Sequence, residues 1–323
     1  MKIGLILPHW SGSMAGHTPT ATETLAFGRE AQQVGVDSLW LTDHLYHEPF
    51  LDFLDHGYQL PTEHRGVRVG FWESWTTLAA LAVDTADVEI GTLVTNTAFR
   101  NPALLASMAA TVDSLSKGRL TVGLGAGDFR SEHMFHGYPW ERRIGRFEEA
   151  LRIIVPMLRG ERVTVDGDFY QSQDVELLPE GPRKNGPPVL IGSMRGGPRM
   201  KRLTVQYGDG WSCWLAFEDS HVENYAARLQ GMQEACEQHG RDPETLAGNV
   251  TIGITLPGLD GLVPGASPIT GSANDVAEQI SRYAELDVDR LTVYLHPCNE
   301  AGLEWLGEIL SQVQRRSTVK AAH

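Results

Sequence analysis

"VEIGTLVTNTAFRNPALLASMAATVDSLSKGRLTVGLG", residues Val88 to Gly125, holds two kinds of pattern side by side. Its ends, "VEIGTLV" (88–94) and "RLTVGLG" (119–125), are short apolar runs of the sort that form strands covered on both faces. The stretch between them, "NPALLASMAATVDSLSKG" (101–118), is too long for a strand and carries helix punctuation at both ends. Asn101 and Pro102 set a cap and first turn, and Gly118 supplies a left-handed stop. A strand, a helix and a second strand follow one another with no room for a hairpin return, so the unit predicts parallel pairing.

The same alternation runs outward from this unit in both directions. Apolar segments recur at "KIGLIL" (2–7), "SLWL" (38–41), "PPVLIG" (187–192), "GWSCW" (210–214), "NVTIGITL" (249–256) and "RLTVYL" (290–295). Helix-like stretches lie among them at 20–35, 272–286 and 302–316. Eight strand segments alternating with helices favour an α/β protein built as a closed (β/α)8 TIM barrel over an open doubly wound sheet. "GWSCW", with its glycine and aromatics, is the least strand-like of the set. Barrels of this length form one domain, so the expected organisation is a single domain over residues 1–323.

Two insertions break the rhythm, one after strand two and one after strand four. Residues 43–72 form a long excursion rich in His, Tyr and Trp. Residues 160–186 read as a hairpin turning at Asp166–Gly167. Loops that follow barrel strands stand at the catalytic face, so the first excursion is expected to wall a pocket.

Composition narrows the partners. With 27 Lys+Arg against 41 Asp+Glu the net charge is −14, which sets nucleic acid aside. Cysteines at 213, 236 and 298 are odd in number and scattered, against a disulfide framework or a thiolate metal site. No stretch approaches the ~18–20 apolar residues of a membrane span. "MKIGLIL" runs into Pro8 without a cleavage site and reads as the first strand. The expectation is a cytoplasmic enzyme of a small-molecule substrate, working as a homodimer.

"SLWLTDHLYHEP" (38–49) then raises a chemical question, because a buried strand runs directly into Asp43 and His44. A barrel strand delivers its last residues to the catalytic mouth, where an imidazole exchanges protons near neutral pH. The plainer reading is an Asp–His pair that pins the loop.

The chain as a whole resembles the bacterial luciferase-like oxidoreductases, which use reduced flavin or the deazaflavin coenzyme F420. The resemblance rests on "MKIGLILP", "LWLTDHL", "ESWTTLAALA" (73–82), the 90–127 segment, "LRGERVTVDGDFY" (158–170), "PPVLIGSMRGGPRM" (187–200) and "YGDGW" (207–211), in the order the family has them. It implies a non-prolyl cis peptide at Leu93–Val94 behind the central ring of the cofactor. Thr95 and Asn96 just beyond are placed to bond the polar edge of that ring, although a turn role suits their residue types as well. It also implies His44 as proton donor or acceptor, oriented by Asp43.

"GSMRGGPRM" (192–200) is glycine-rich, follows a strand and opens a helix, an arrangement that receives phosphate. Gly192, Ser193, Met194, Arg195, Gly196 and Gly197 are therefore candidate cofactor contacts, with Arg195, Arg199, Lys201 and Arg202 supplying positive charge. A flexible loop with a solvated basic helix start is the alternative. In "GLGAGDFRSEHMFHG" (123–137), Gly125 and Gly127 are expected to let backbone approach the cofactor. Asp128 matches a position where some deazaflavin dehydrogenases carry a glutamate acid, and Glu132 is the substitute should the shorter side chain not reach.

Two other readings of these motifs are set aside. The Gly-x-Gly-x-Gly run lacks the context of a dinucleotide fingerprint. His44-x-x-His47 and His133-x-x-His136 suggest metal ligands, but barrel hydrolases need His-x-His at the end of strand one and only His9 stands there, so no metal is expected. Trp10, Trp72, Trp140, Trp211 and Trp214 are candidates to wall a planar ring, or to pack in the core. The cofactor expected is coenzyme F420, with FMN as the alternative and a monooxygenase as the corresponding activity. A metal hydrolase or a barrel that binds cofactor without turnover stands as the other class.

Overall fold

The computed structural model describes residues 1–58, 60–192, 196–259 and 263–321. Among these, eight parallel strands close on themselves: β1 (Lys2–Ile6), β2 (Ser38–Leu41), β3 (Glu89–Thr92), β4 (Leu120–Gly125), β5 (Val189–Gly192), β6 (Gly210–Trp214), β7 (Ala247–Thr255) and β8 (Arg290–His296). β8 pairs with β1 through Lys2↔Arg290, and β4 pairs with β5 through Val189↔Val122, so no edge is left open. The fold is a (β/α)8 barrel, and the weakest of the expected strands, "GWSCW", is one of its staves.

A helix follows each strand: α1 (Ala21–Val34), α2 (Ser74–Asp84), α3 (Pro102–Leu115), α4 (Arg143–Leu158), α5 (Pro198–Tyr207), α6 (Val222–Gln238), α7 (Ala273–Tyr283) and α8 (Glu300–Ala321). Their ends are written in the residues. Asn101 accepts from the backbone N–H of Ala103 at 2.9 Å and of Leu104 at 3.3 Å, with Pro102 opening α3. That helix stops sooner than expected, at Leu115, because both Lys117 and Gly118 take left-handed φ. α8 conversely runs beyond the expected 302–316 at both ends.

Strand periodicity sorts the apolar residues into two cores. In β1 and β2, Ile3, Leu5, Leu39 and Leu41 join the large cluster beneath the helices. Ile6 and Trp40 turn the other way and meet Leu93 and Leu190 inside the barrel. Glycine makes room for the indole: a Cβ on Gly4 or Gly91 would lie 2.6 or 2.5 Å from Trp40 ring atoms. This interior cluster also touches Trp10, Val94, Trp214 and Tyr294, so it forms the floor on which the mouth of the barrel is built.

"VEIGTLV" is not one continuous strand. The ladder ends at Thr92, the Leu93–Val94 peptide is cis, and pairing resumes at Thr95–Asn96 against Leu124 and Gly125. The excursion after β2 contains an antiparallel pair, Tyr46–His47 with Val69–Gly70, and a short helix, Pro49–Asp55. It is stitched to the end of β1 by Ser11 N–H donating to Gly70 O and Trp72 N–H to His9 O, both at 2.9 Å. The insertion after β4 is a hairpin, Val163–Asp166 with Gln171–Val175. Glu149 of α4 fixes its turn by accepting from the backbone N–H groups of Asp168, Phe169 and Tyr170. Among the described residues no helix is long and apolar enough to cross a membrane.

Candidate active site

A cavity of about 740 Å³ opens at the C-terminal ends of the strands. Val94 and Leu93 form part of its floor, together with Gly125, Gly127, Gly192, Gly196 and Gly197. Three of these glycines make room for side chains of the protein itself. A Cβ on Gly125 would lie 2.5 Å from a Val94 methyl, and one on Gly192 would lie 2.8 Å from the other. At Gly127, where φ is +81°, a Cβ would strike Asn96 and His133. These glycines therefore seat protein groups, and the seated Val94 presents a floor that suits a planar ring. Ser193, Met194 and Arg195 lie outside the described residues.

Asp43 and His44 part company at the end of β2. The buried Asp43 carboxylate accepts from Arg100 Nη1 at 2.6 Å and Nη2 at 2.9 Å, from Ser74 Oγ at 2.5 Å and from the Asn96 backbone N–H at 3.0 Å. Arg100 also pairs with Glu73. Asp43 thus braces the ends of β2, β3 and α2 together and makes no hydrogen bond to the imidazole it was expected to orient. Thr95 likewise turns from the cavity, donating to Thr92 Oγ1 at 2.8 Å and accepting from Trp75 Nε1 at 3.2 Å. Asn96 does line the cavity. Its amide nitrogen sits 3.0 Å from His133 Nε2, and its carbonyl oxygen accepts from Ala98 N–H.

His44 finds its carboxylate in Glu132, on the short helix Arg130–His136 after β4. His44 Nδ1–H donates to Glu132 Oε2 at 3.2 Å, while Glu132 Oε1 accepts the Leu45 backbone N–H at 2.5 Å. The ring stacks on Phe129 with centroids 4.5 Å apart. Nδ1 is thereby committed, and Nε2 is the nitrogen left for a ligand. Burial alone would push this imidazole down, but the charge and hydrogen bond of Glu132, with Asp128 and Asp43 behind them, raise it to about 9. Asp128 lines the same cavity. Its backbone carbonyl lies 3.2 Å from His56 Nε2.

The remaining histidines are held singly. His47 Nδ1 is 3.1 Å from Asp52 Oδ2, and His9, fully buried, faces the carbonyls of Leu7 and Thr42. His133 Nδ1–H donates to Pro139 O at 2.9 Å, so its Nε2 accepts from Asn96; burial holds this ring below its ordinary pKa. Among the described residues no group of three or more His, Cys, Asp or Glu side chains is arranged to hold a metal ion. Of the five candidate tryptophans, Trp10, Trp140 and Trp214 line the cavity. Trp72 instead donates to Pro19 O on the outer face, and Trp211 stacks on Tyr225 in the core.

The basic helix start is also used differently than its residue types suggested. Arg199 and Arg202 both pair with Glu148, at 2.7 and 2.8 Å, and Lys201 Nζ donates to Gly231 O at 2.7 Å. Among the described residues, an arginine that lines the same cavity as Gly196 and Gly197 is Arg143, at the start of α4. Its guanidinium lies 4.3 Å from the centroid of the Trp140 ring. Its buried Nε has no hydrogen-bond partner, and no carboxylate pairs with it among the described residues. Sequence reasoning missed this residue, although the basic cluster "ERRIGR" (141–146) in the connection that follows β4 was a usable signal. A stacked guanidinium, a helix start and a glycine-lined wall together suit the phosphate-bearing tail of a flavin-type cofactor.

Comparison with known proteins adds the following. A sequence profile of the family described as luciferase-like monooxygenase matches residues 1–257. An F420-dependent glucose-6-phosphate dehydrogenase of Amycolatopsis mediterranei is 31% identical over 197 residues, 59% of this chain and 53% of that protein. A phthiodiolone/phenolphthiodiolone dimycocerosates ketoreductase of Mycobacterium tuberculosis is 29% identical over 234 residues, 69% of this chain and 58% of its own. The chain thus spans little more than half the length of these curated relatives. The solved coenzyme F420-dependent tetrahydromethanopterin reductase from Methanopyrus kandleri superposes with a TM-score of 0.74 at 16% identity, covering 98% of this chain and 99% of that one.

Proposed function

The chain belongs to the luciferase-like monooxygenase family, and from that premise we propose that it is an oxidoreductase passing hydride between coenzyme F420 and a small organic substrate. The observation that carries the reading is His44. It is a cavity-lining imidazole clamped through Nδ1 by a buried carboxylate, with Nε2 left for a ligand in the same cavity that Val94 lines.

The bound deazaflavin would supply or accept the hydride. Everything else is the chain's own work. Val94 and Leu93 would back the ring, while Arg143 and the start of α5 hold its anionic tail. His44 Nε2 would give a proton to the substrate in the reducing direction and take one in the oxidising direction. Glu132 keeps the ring in one orientation throughout, and Asp43 keeps the ends of β2 and β3 in register beneath it. General acid–base help of this kind is worth roughly 10²–10⁴-fold in rate.

The test is a parallel titration of oxidised F420 and FMN, followed by fluorescence. F420 is expected to bind at micromolar concentration or below. Binding of FMN in its place would move the protein to the monooxygenase alternative, and binding of neither would overturn the enzyme reading.

A further inference from the structure

His44 has a counterpart in the same wall. His47, three residues on in the excursion after β2, lines the same cavity and is 4% exposed. The centroids of the two imidazoles are 5.8 Å apart. Both rings stack on Phe129, at 4.5 and 4.3 Å with interplanar angles of 17° and 20°. Both also meet Phe71, at 5.2 and 5.8 Å.

The second ring is held in the manner of the first. His47 Nδ1–H donates to Asp52 Oδ2 at 3.1 Å. The buried Asp52 carboxylate also accepts from the Ser131 backbone N–H at 2.9 Å and from Ser131 Oγ at 2.5 Å. Burial would raise this carboxyl, but the hydrogen bonds from His47 and Ser131 hold it below its ordinary range, so it stays an acceptor. Ser131 and Glu132 are consecutive on the helix Arg130–His136, so one turn of helix fixes the carboxylate partners of both imidazoles. With each Nδ1 committed, each Nε2 remains, and neither has a hydrogen-bond partner among the described residues. Such a nitrogen accepts from a hydroxyl while the ring is neutral and donates to an oxygen once it is protonated. Bracing the excursion does not require the His47 ring, because Asp52 already makes two bonds to Ser131 without it.

Charge narrows what the pair would take. Each imidazole has a buried carboxylate of its own, and Asp55 and Asp128 line the cavity along with His56, His64 and Arg143. An anion at the two rings would compete with Glu132 and Asp52 for the same positive charge, whereas a neutral oxygen needs no countercharge. We propose that His47, oriented by Asp52, is a second substrate-binding imidazole, and that the substrate carries two neutral oxygens on adjacent carbons, as a vicinal diol or hydroxy ketone does. One oxygen is bound by His44 Nε2 and the other by His47 Nε2, each at an ordinary hydrogen-bond length of ~2.7–3.2 Å. The inference deepens the proposed function and rests on its assignment of this cavity to the substrate. His47 sets specificity, since the oxygen it holds is not the one that reacts.

The test titrates the whole protein, with and without oxidised F420, with cyclohexane-1,2-diol, cyclohexanol and lactate, followed by NMR of the histidine ring nitrogens. The diol is expected to bind ~3- to 10-fold more tightly than cyclohexanol, the worth of one hydrogen bond, and to bind more tightly than lactate. It should shift His47 Nε2 in the wild-type protein, a readout that needs no variant to fold. His47→Phe, which keeps an aromatic ring against Phe129 and Phe71, should erase the advantage of the diol and leave cyclohexanol unchanged. An unmoved His47 Nε2, a diol no tighter than cyclohexanol, tighter binding of lactate, or an undiminished diol advantage in His47→Phe would each overturn the inference. If F420 fails to bind while the diol pattern holds, the cofactor reading falls and the His47 site stands. If F420 binds and the diol has no advantage, the His47 site falls alone.

Discussion

His44 and Asp43 are adjacent in the chain, yet the chemistry of each is set by a residue far away: Glu132 for one, Arg100 for the other. Neighbours at a strand exit point to different sides, so adjacency is a poor guide to contact. Glu132→Gln should therefore move the His44 imidazole from about 9 down toward or below its ordinary 6.5, because the Glu132 charge is the leading influence that raises it. An NMR titration that still reads about 9 in that variant would refute the pairing. The linkage has a definite sign. A raised imidazole stabilises the fold fully below pH 6.5 and loses that contribution as pH rises toward about 9. The stability difference between wild type and His44→Gln should accordingly shrink over that window when followed by thermal melts. Asp43→Asn leaves Glu73 as the remaining carboxylate on the buried Arg100 among the described residues, and the expected result is a stability loss of ~1–3 kcal/mol in denaturant titrations.

At the scale of elements, the strands and most helix ends were legible in the sequence, because apolar period, caps and glycine stops are local signals. "SLWL" and "GWSCW" form strands with the expected bounds. What could not be read is the destination of a side chain once the elements pack. The arginines at the start of α5 had the right residue type for a phosphate site, but Glu148 on the neighbouring α4 takes two of them. Likewise the glycines of β4 and β5 were expected to admit a cofactor, and the side chain a Cβ on Gly125 or Gly192 would meet is Val94. Both points are testable. Arg143→Ala should weaken cofactor binding by about tenfold or more, as expected for a lost charged hydrogen bond of ~1.5–3 kcal/mol, whereas Arg199→Ala should leave it nearly unchanged. Gly125→Ala forces a methyl into Val94, with an expected cost of ~1–3 kcal/mol and a weaker cofactor site, checked by melting and fluorescence titration together.

For the molecule as a whole, closure of the barrel divides the apolar residues into an outer core, which holds helices to strands, and an inner one, which supports the mouth. The outer core draws on all eight strands, and we propose that residues 1–323 unfold as one cooperative unit. The two cores differ in what they do for the site. Trp40 fills the barrel interior beside Ile6, Leu93 and Leu190, and that cluster carries Val94, Trp10, Trp214 and Tyr294 above it. Leu306 on α8 is as deeply buried but belongs to the outer core. Truncating either to alanine opens a cavity, at ~3–5 kcal/mol for Trp40 and ~2–5 kcal/mol for Leu306. Stability alone thus hardly separates them, but ligand affinity does. Trp40→Ala removes the support under the Val94 floor and the aromatic wall, so cofactor binding should weaken. Leu306→Ala should lose comparable stability with cofactor affinity retained. Equal affinity losses in the two variants, measured well below their melting temperatures, would mean that the inner core has no privileged part in shaping the mouth.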